Sequence, residues 1–199
     1  FTLSFEGSTT TSLLPVDIGA SGCWWGNSGD SIDSTLTRQL TLPLASTPTL
    51  DYDIWFDIEE DWDYLYVEVS KDRGRTWGVM ETHVTSTENP LGNSFGPGYT
   101  GNSGGWIQEN IDLSAYAGED ILMRFQYVTD DAVNAVGPCI RNLSIDGEDI
   151  GTDDRNWKAN GFVFTDNVVD QRFQVQVVTI GNEPKVQQID LNGSNSAMI

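Results

Sequence analysis

Histidine occurs once in the 199 residues, cysteine twice, and lysine plus arginine only 10 times. Each scarcity excludes a chemistry. A zinc peptidase of the H-E-x-x-H type needs two histidines, so this chain cannot carry that reaction. A Ser-His-Asp triad would have to use His83, whose neighbours "METHVTS" contain no nucleophile elbow. Two cysteines are too few for a disulfide scaffold or a four-ligand zinc site. They leave two readings open: one Cys23–Cys139 bridge closing a long loop, worth about 4–5 kcal/mol in the chain-entropy account, or two buried thiols. No G-x-x-x-x-G-K occurs, and no helix pattern follows the glycine-rich "GNSGG", so phosphate has no cradle. No apolar run approaches the roughly 18 residues of a spanning helix, so no membrane span is expected. No signal peptide stands at the start. The chain opens on the strand-like "FTLSFEG" without methionine, which reads as a mature or excised piece of something longer.

What is abundant is acid. Asp plus Glu number 30, for a net charge of -20. That field repels phosphate backbones and anionic lipid, so nucleic acid is not an expected partner. It attracts cations, and it keeps a secreted protein soluble. Solubility alone is the competing explanation of the acidity. Hydrophobic residues still make up 38%, with 7 Trp, 6 Tyr and 8 Phe, enough to build a core.

Helix signals are nearly missing, and period-two alternation recurs instead. Strands are expected at 2–6, 36–42, 49–57, 63–70, 76–82, 106–113, 120–128, 139–146, 160–165, 171–180 and 185–191. Many short strands between Gly, Asn, Asp and Pro turns predict an all-β, jelly-roll β-sandwich. In "YLYVEVS" and "ILMRFQYV" the alternation reads as half-buried strands. No internal repeat is present. Residues 86–106 form a long Gly, Asn, Ser and Pro loop, a length that is usually functional or mobile. A weaker boundary at "DGEDIGTDDRN" divides the chain into a sandwich at 1–150 and a C-terminal β extension at 151–199, expected to pack on it. "SKDRGRTW", residues 70–77, fits an Asp-box hairpin, with Asp72 bonding turn amides, Gly74 at positive φ and Trp77 as anchor. That motif is structural.

Five of the seven residues in "DIEEDWD", 57–63, are carboxylates. Three readings compete. Asp57, Glu59 and Asp61 alternate, so an extended strand would place them on one face. A retaining glycosidase needs two carboxyl groups about 5 Å apart, which makes these acids a catalytic candidate. The run, however, lies where the chain turns between two strands. Metal binding is the second reading. Two carboxylates about 4 Å apart repel by roughly 4 kcal/mol at a surface-like dielectric. Calcium accepts roughly 6–8 oxygens in flexible geometry and relieves that repulsion. Glu59, Glu60 or Asp63, closed by Asp130 of the Asp130–Asp131 pair, would form such a site. Glu6 with Asp30 and Asp33 is a further group, able to pin a terminal strand through calcium. The third reading is a solvated acidic turn without an ion. Among the tryptophans, Trp55 shares parity with Asp53 and Asp57, and Trp62 sits among charges. Both are candidates for an exposed sugar platform, although most sandwich tryptophans are core or hairpin anchors.

"WFDIEEDWDYLYVEVSKDRGRTW" and "GYTGNSGGWIQENIDLSAYAGEDILMRFQYVTDDAV", taken together, resemble the β-sandwich domain that follows the catalytic domain of immune inhibitor A-type secreted bacterial metallopeptidases. "SFEG" with "WWGNSGDSIDSTLTRQLTL" fits the start of the same domain, and "NWKANGFVFTDNVVDQRFQVQVV" is similar to the segment after it. The fold of that family is related to MAM-type jelly rolls. The resemblance implies a secreted or cell-surface, noncatalytic module, often calcium-stabilised, beside a zinc peptidase whose metal-binding helix lies elsewhere. By position it carries over the acidic turn Asp57, Glu59, Glu60, Asp63 and the strand end Asp130. One departure stands out. Where the family pattern has a G-x-x-I-D-D-I type run, this chain reads "GPCIRNLSI". Arg141 and Asn142 replace the acids, so this strand is not expected to supply an ion ligand. Cys139 is unusual there and favours the bridge to Cys23. The expected partners are adjacent domains of a larger secreted protein, with a glycan or a host surface protein as further candidates. The rival functions are a carbohydrate-binding module and a glycosidase using Asp57, Glu59 and Asp61.

Overall fold

The structure, a computed structural model, describes residues 2–44, 47–151 and 154–198. The chain runs through β1 (Ser4–Glu6) and β2 (Thr10–Ser12), and then through the strands of a sandwich. These are β3 (Cys23–Trp25), β4 (Asp33–Thr41), β5 (Thr49–Asp57), β6 (Tyr64–Ser70), β7 (Gly78–Val79), β8 (Ile107–Asp112), β9 (Asp120–Val128), β10 (Gly137–Ile145), β11 (Glu148–Asp149), β12 (Trp157–Asn160) and β13 (Val163–Thr165). Four more follow: β14 (Val168–Asp170), β15 (Val175–Thr179), β16 (Lys185–Ile189) and β17 (Ser196–Met198).

One sandwich sheet has the order β13-β3-β10-β5-β8, with β11 paired to β10; the other is β12-β4-β9-β6-β7. Every strand pair in both is antiparallel. Alternation builds the core between them. Ile121, Met123, Phe125 and Tyr127 of β9 are buried against Leu50, Tyr52, Ile54 and Phe56 of β5, within one apolar cluster. Each such side chain contributes about 1.5–3 kcal/mol by leaving water.

β6 departs from the expected half-burial: all seven of its residues are buried. The long loop explains this. It returns along the sandwich through bridges Ser86–Gly98 and Leu65–Tyr99. Phe95 stacks on Tyr66 at 5.5 Å, and Tyr66 on Tyr64 at 5.8 Å. The outer face of β6 is thereby roofed by the segment that the sequence marks as a loop.

The units also divide differently from the expected 1–150 and 151–199. Residues 18–166 form one compact unit, and residues 1–17 with 167–199 form another. β12 and β13, expected in the extension, are edge strands of the sandwich sheets. Trp157 packs beside Trp24 with ring centroids 6.5 Å apart, which draws this segment into the sandwich core. In the second unit β1 pairs with β17, β2 with β14 and β15 with β16. There Asn167 accepts the Leu14 amide proton through Oδ1 and donates through Nδ2 to the Leu14 and Val16 carbonyls.

Candidate metal centre

β5 ends at Asp57, where the Ile58 amide turns to the Gly101 carbonyl at 2.8 Å. The next residues close a turn instead of continuing the strand. The Asp63 amide donates to the Glu59 carbonyl at 3.1 Å, and Asp61 adopts φ 66°. Thr100 braces the turn from the long loop. Its Oγ1 accepts the Asp61 amide proton at 2.8 Å and donates to the Glu59 carbonyl at 3.2 Å. An i to i+4 bond brings Glu59 and Asp63 to one side. Asp130 comes from the end of β9, which pairs with β6 so that Val128 lies opposite Tyr64.

Glu59, Asp63 and Asp130 each bring a carboxylate oxygen into a group whose members lie within 4.8 Å of one another. Asp63 is 0% exposed. Its Oδ1 accepts the Asp130 amide proton at 2.9 Å, but its Oδ2 is buried without a hydrogen-bond partner. Oε2 of Glu59 is in the same condition, and so is the Tyr127 hydroxyl beneath them. Burial pushes the Asp63 carboxyl up to about 6 against the pull of the Asp130 amide, and the charges of Asp130, Glu59 and Asp30 add to the rise. Burial, then the charges of Asp63, Asp57 and Glu59, hold the Tyr127 phenol well above its ordinary value.

These residues suit a hard cation. The donors are oxygens, three carboxylates repel at close range, and two buried oxygens point to no proton.

The other sequence candidates fall elsewhere. Glu60 and Asp131 are exposed and stand outside the three-carboxylate group. Asp57 is tied to Asn102, whose Nδ2 donates to its Oδ1 at 2.9 Å. Asp30 accepts from Asn134 and reaches the group only through its field on Asp63. Asp33 accepts from Gln126 at 2.7 Å on the outer face of β4. Glu6 lies in β1, in the other unit. Among the described residues Glu6, Asp30 and Asp33 form no metal-ligating group. Asp57, Glu59 and Asp61 do not share a strand face, because β5 ends at the first of them and the last sits in a left-handed turn. The expected exposure of Trp55 is also corrected: it is 6% exposed, whereas Trp62 is 46% exposed. On β10, Arg141 Nε approaches Asp53 Oδ2 at 3.3 Å and Asn142 Nδ2 donates to it at 2.8 Å, so the strand turns to Asp53. Cys23 and Cys139 are bonded to each other across β3 and β10. The Asp-box turn forms as read: Asp72 accepts from the Arg75 and Thr76 amides and the Thr76 hydroxyl, with Gly74 at φ 83°.

Sequence reading missed Thr100 and the Tyr127 hydroxyl at this turn, and a separate buried acid, Glu109. Glu109 had a signal. In "IQENID" it takes the inward slot between Ile107 and Ile111. Its Oε1 accepts from Thr82 at 2.8 Å and from Tyr99 at 3.1 Å. His83 Nδ1 lies 2.8 Å from its Oε2, in ion-pair range but off the line of a hydrogen bond.

The comparisons with known proteins agree with this architecture. The model of the immune inhibitor A-like MAM domain matches residues 2–167, a span that takes in the whole sandwich unit. The chain belongs to that family. Pre-pro-metalloprotease PrtV of Vibrio cholerae is 31% identical over 123 residues, covering 62% of this chain and 13% of the relative. Immune inhibitor A of Bacillus thuringiensis subsp. alesti is 26% identical over 148 residues, 70% of this chain and 20% of the relative. Bacillopeptidase F of Bacillus subtilis is 25% identical over 127 residues, 63% of this chain and 8% of the relative. This MAM-like sandwich thus corresponds to a small part of much longer bacterial proteins. No helix among the described residues is long and apolar enough to cross a membrane.

Proposed function

We propose that the chain is a noncatalytic accessory module of a secreted bacterial protein, a metallopeptidase of the immune inhibitor A kind or a related surface protein, held rigid by calcium. Glu59, Asp63 and Asp130 would hold the ion. One observation carries this reading: Asp63 is fully buried with Oδ2 unpartnered, beside the equally unpartnered Oε2 of Glu59. A buried carboxylate without a partner costs several kcal/mol of lost hydration, so its retention calls for a counter-charge. The ion would join the turn after β5 to the end of β9 and fix one end of the sandwich. Two further features support a structural role. The small share of each relative that the chain matches fits a module among other domains. The Cys23–Cys139 bond fits an oxidising compartment outside the cytosol.

The catalytic alternative lacks the shared strand face it was built on, since β5 ends at Asp57 and Asp61 sits in a left-handed turn. The sugar platform keeps Trp62 and loses Trp55.

The test is thermal unfolding of a chelator-stripped chain with and without millimolar calcium. Binding to the native state alone adds about 2.7 kcal/mol at a hundredfold excess over Kd. For a chain of this size the melting temperature should rise by roughly 5–10 °C. The shift should vanish in Asp63→Asn. A verified metal-free chain that melts at the same temperature with and without calcium sinks the proposal.

A further inference from the structure

Beside the acidic turn lies a groove of about 290 Å³. Trp62, Tyr64, Tyr66, Asn93, Phe95 and Asp130 are among the residues that line it. Tyr64 and Tyr66 are a buried, stacked floor, while Trp62 is 46% and Phe95 66% exposed. The walls are fastened. Asn93 Nδ2 donates to the Trp62 carbonyl at 2.9 Å, and the Phe95 amide donates to the Tyr66 hydroxyl at 3.0 Å. Two large rings are thus held open to solvent beside a carboxylate.

The rest of the sandwich shows what this chain does with such rings. Arg124 lies 4.0 Å from the centroid of Trp77 and pairs with Glu68. Arg141 lies 3.9 Å from Trp106 and pairs with Asp53. Ring, guanidinium and carboxylate recur as one unit, because a guanidinium stacks on an indole and still donates to an acid. The groove has the ring and the acid. Among the described residues, no lysine or arginine of the chain lies over Trp62 or Phe95. The acids Asp61 and Asp131 flank the groove residues in sequence, and the chain carries a net charge of -20, so the surroundings favour a cation. The volume lies at the low end of the range for small-molecule sites, which suits one long side chain better than an oligosaccharide.

We propose that this groove receives an arginine side chain from a basic segment of a partner protein, its guanidinium over the Trp62 and Phe95 rings and paired with Asp130. The inference does not depend on calcium. It shares Asp130 with the metal reading, so bound calcium should weaken the arginine contact.

The experiment titrates the full, chelator-stripped chain with a short glycine-arginine peptide and with its glycine-glutamine counterpart. Calorimetry gives the affinity, and the Trp62 indole resonance gives the place. The arginine peptide should bind at least about tenfold more tightly and should move that resonance. Trp62→Ala and Phe95→Ala should each weaken it by about tenfold at a temperature where the variant's own melting curve shows it folded, because Phe95 also stacks on Tyr66. Neither substitution alters charge, so the loss separates a ring contact from general attraction to an acidic protein. Three results overturn the proposal: equal affinity for the glutamine peptide, undiminished binding in the double variant, or a neutral oligosaccharide moving the Trp62 indole where the peptide does not. The calcium reading fails by melting temperature, and this one fails by peptide affinity.

Discussion

Asp63 and Asp72 flank the two ends of β6 (Tyr64–Ser70) and share a side chain, yet their surroundings are opposite. Asp72 sits in a turn that gives its carboxylate everything it needs: two amides, the Thr76 hydroxyl and the Ser70 hydroxyl. Those donors, led by Thr76, hold its carboxyl down to about 2. Asp63 is buried, receives one amide, and has two other acids for company; burial pushes it up to about 6. The first carboxylate is satisfied within its own hairpin. The second keeps one buried oxygen, Oδ2, without a hydrogen-bond partner. An acid that its own fold leaves in want is a better mark of a binding site than acidity itself.

Glu109 stands between the two: it is buried, its Oε1 is supplied by two donors, and its Oε2 has only the His83 ring nearby, without a hydrogen bond. Thr82 and Tyr99 donate to it, Tyr99 in turn contacts the Tyr52 hydroxyl at 2.6 Å, and His83 stands beside it. Removing this buried carboxylate strands the Thr82 and Tyr99 donors on its Oε1. Glu109→Ala should therefore cost about 2–4 kcal/mol in denaturant unfolding, by the same amount with and without calcium. A calcium-dependent loss would mean that this acid and Asp63 belong to one class, and the comparison would break.

Asp63→Asn should act with opposite signs in the two states. A folded carboxyl raised to about 6 binds protons that the unfolded one does not. Its contribution is favourable below about 4 and is lost as pH rises through about 6, so at neutral pH the stripped chain carries a penalty. The amide removes it. Stripped Asp63→Asn should be more stable than the native chain by about 1–2 kcal/mol at pH 7. With calcium the order should reverse. A variant less stable in both states would show that the carboxylate is already satisfied without an ion.

Much of this was legible in the sequence. Strands of seven to nine residues announce themselves by alternation, and β5, β6 and β9 fall where periodicity places them. β2, β3, β12, β14 and β17 have three or four residues, too few for a period, and exist because a distant partner pairs with them. The same non-locality moved the domain boundary. Residues 157–160 join the sandwich by pairing with β4, more than a hundred positions away. At the acidic turn, the metal reading named Glu59, Glu60 or Asp63 closed by Asp130, and the structure brings Glu59, Asp63 and Asp130 together without Glu60. Spacing by two belonged to the catalytic reading of Asp57, Glu59 and Asp61, and the turn after β5 breaks that face. Trp55 was misjudged for a related reason. Parity puts it on the outer face of β5, and parity does not say whether an outer face is covered.

The smallest effect tests Asp72, and it closes the comparison from the other side. A carboxyl lowered to about 2 adds stability above the unfolded value of 3.8 and loses it as pH falls through about 2. The group is only partly covered, so the gain is local to the hairpin. The Arg75 and Thr76 amide resonances should titrate together with a midpoint near 2, far below an ordinary aspartate, and calcium should leave that midpoint unmoved. Asp72→Asn should abolish the titration and speed hydrogen exchange at those two amides, with little change at the turn after β5. A midpoint near 3.8 would mean that the donors seen around Asp72 do not hold its charge. Self-sufficiency would then no longer separate the two ends of β6, and the argument for an ion at Asp63 would rest on its burial alone.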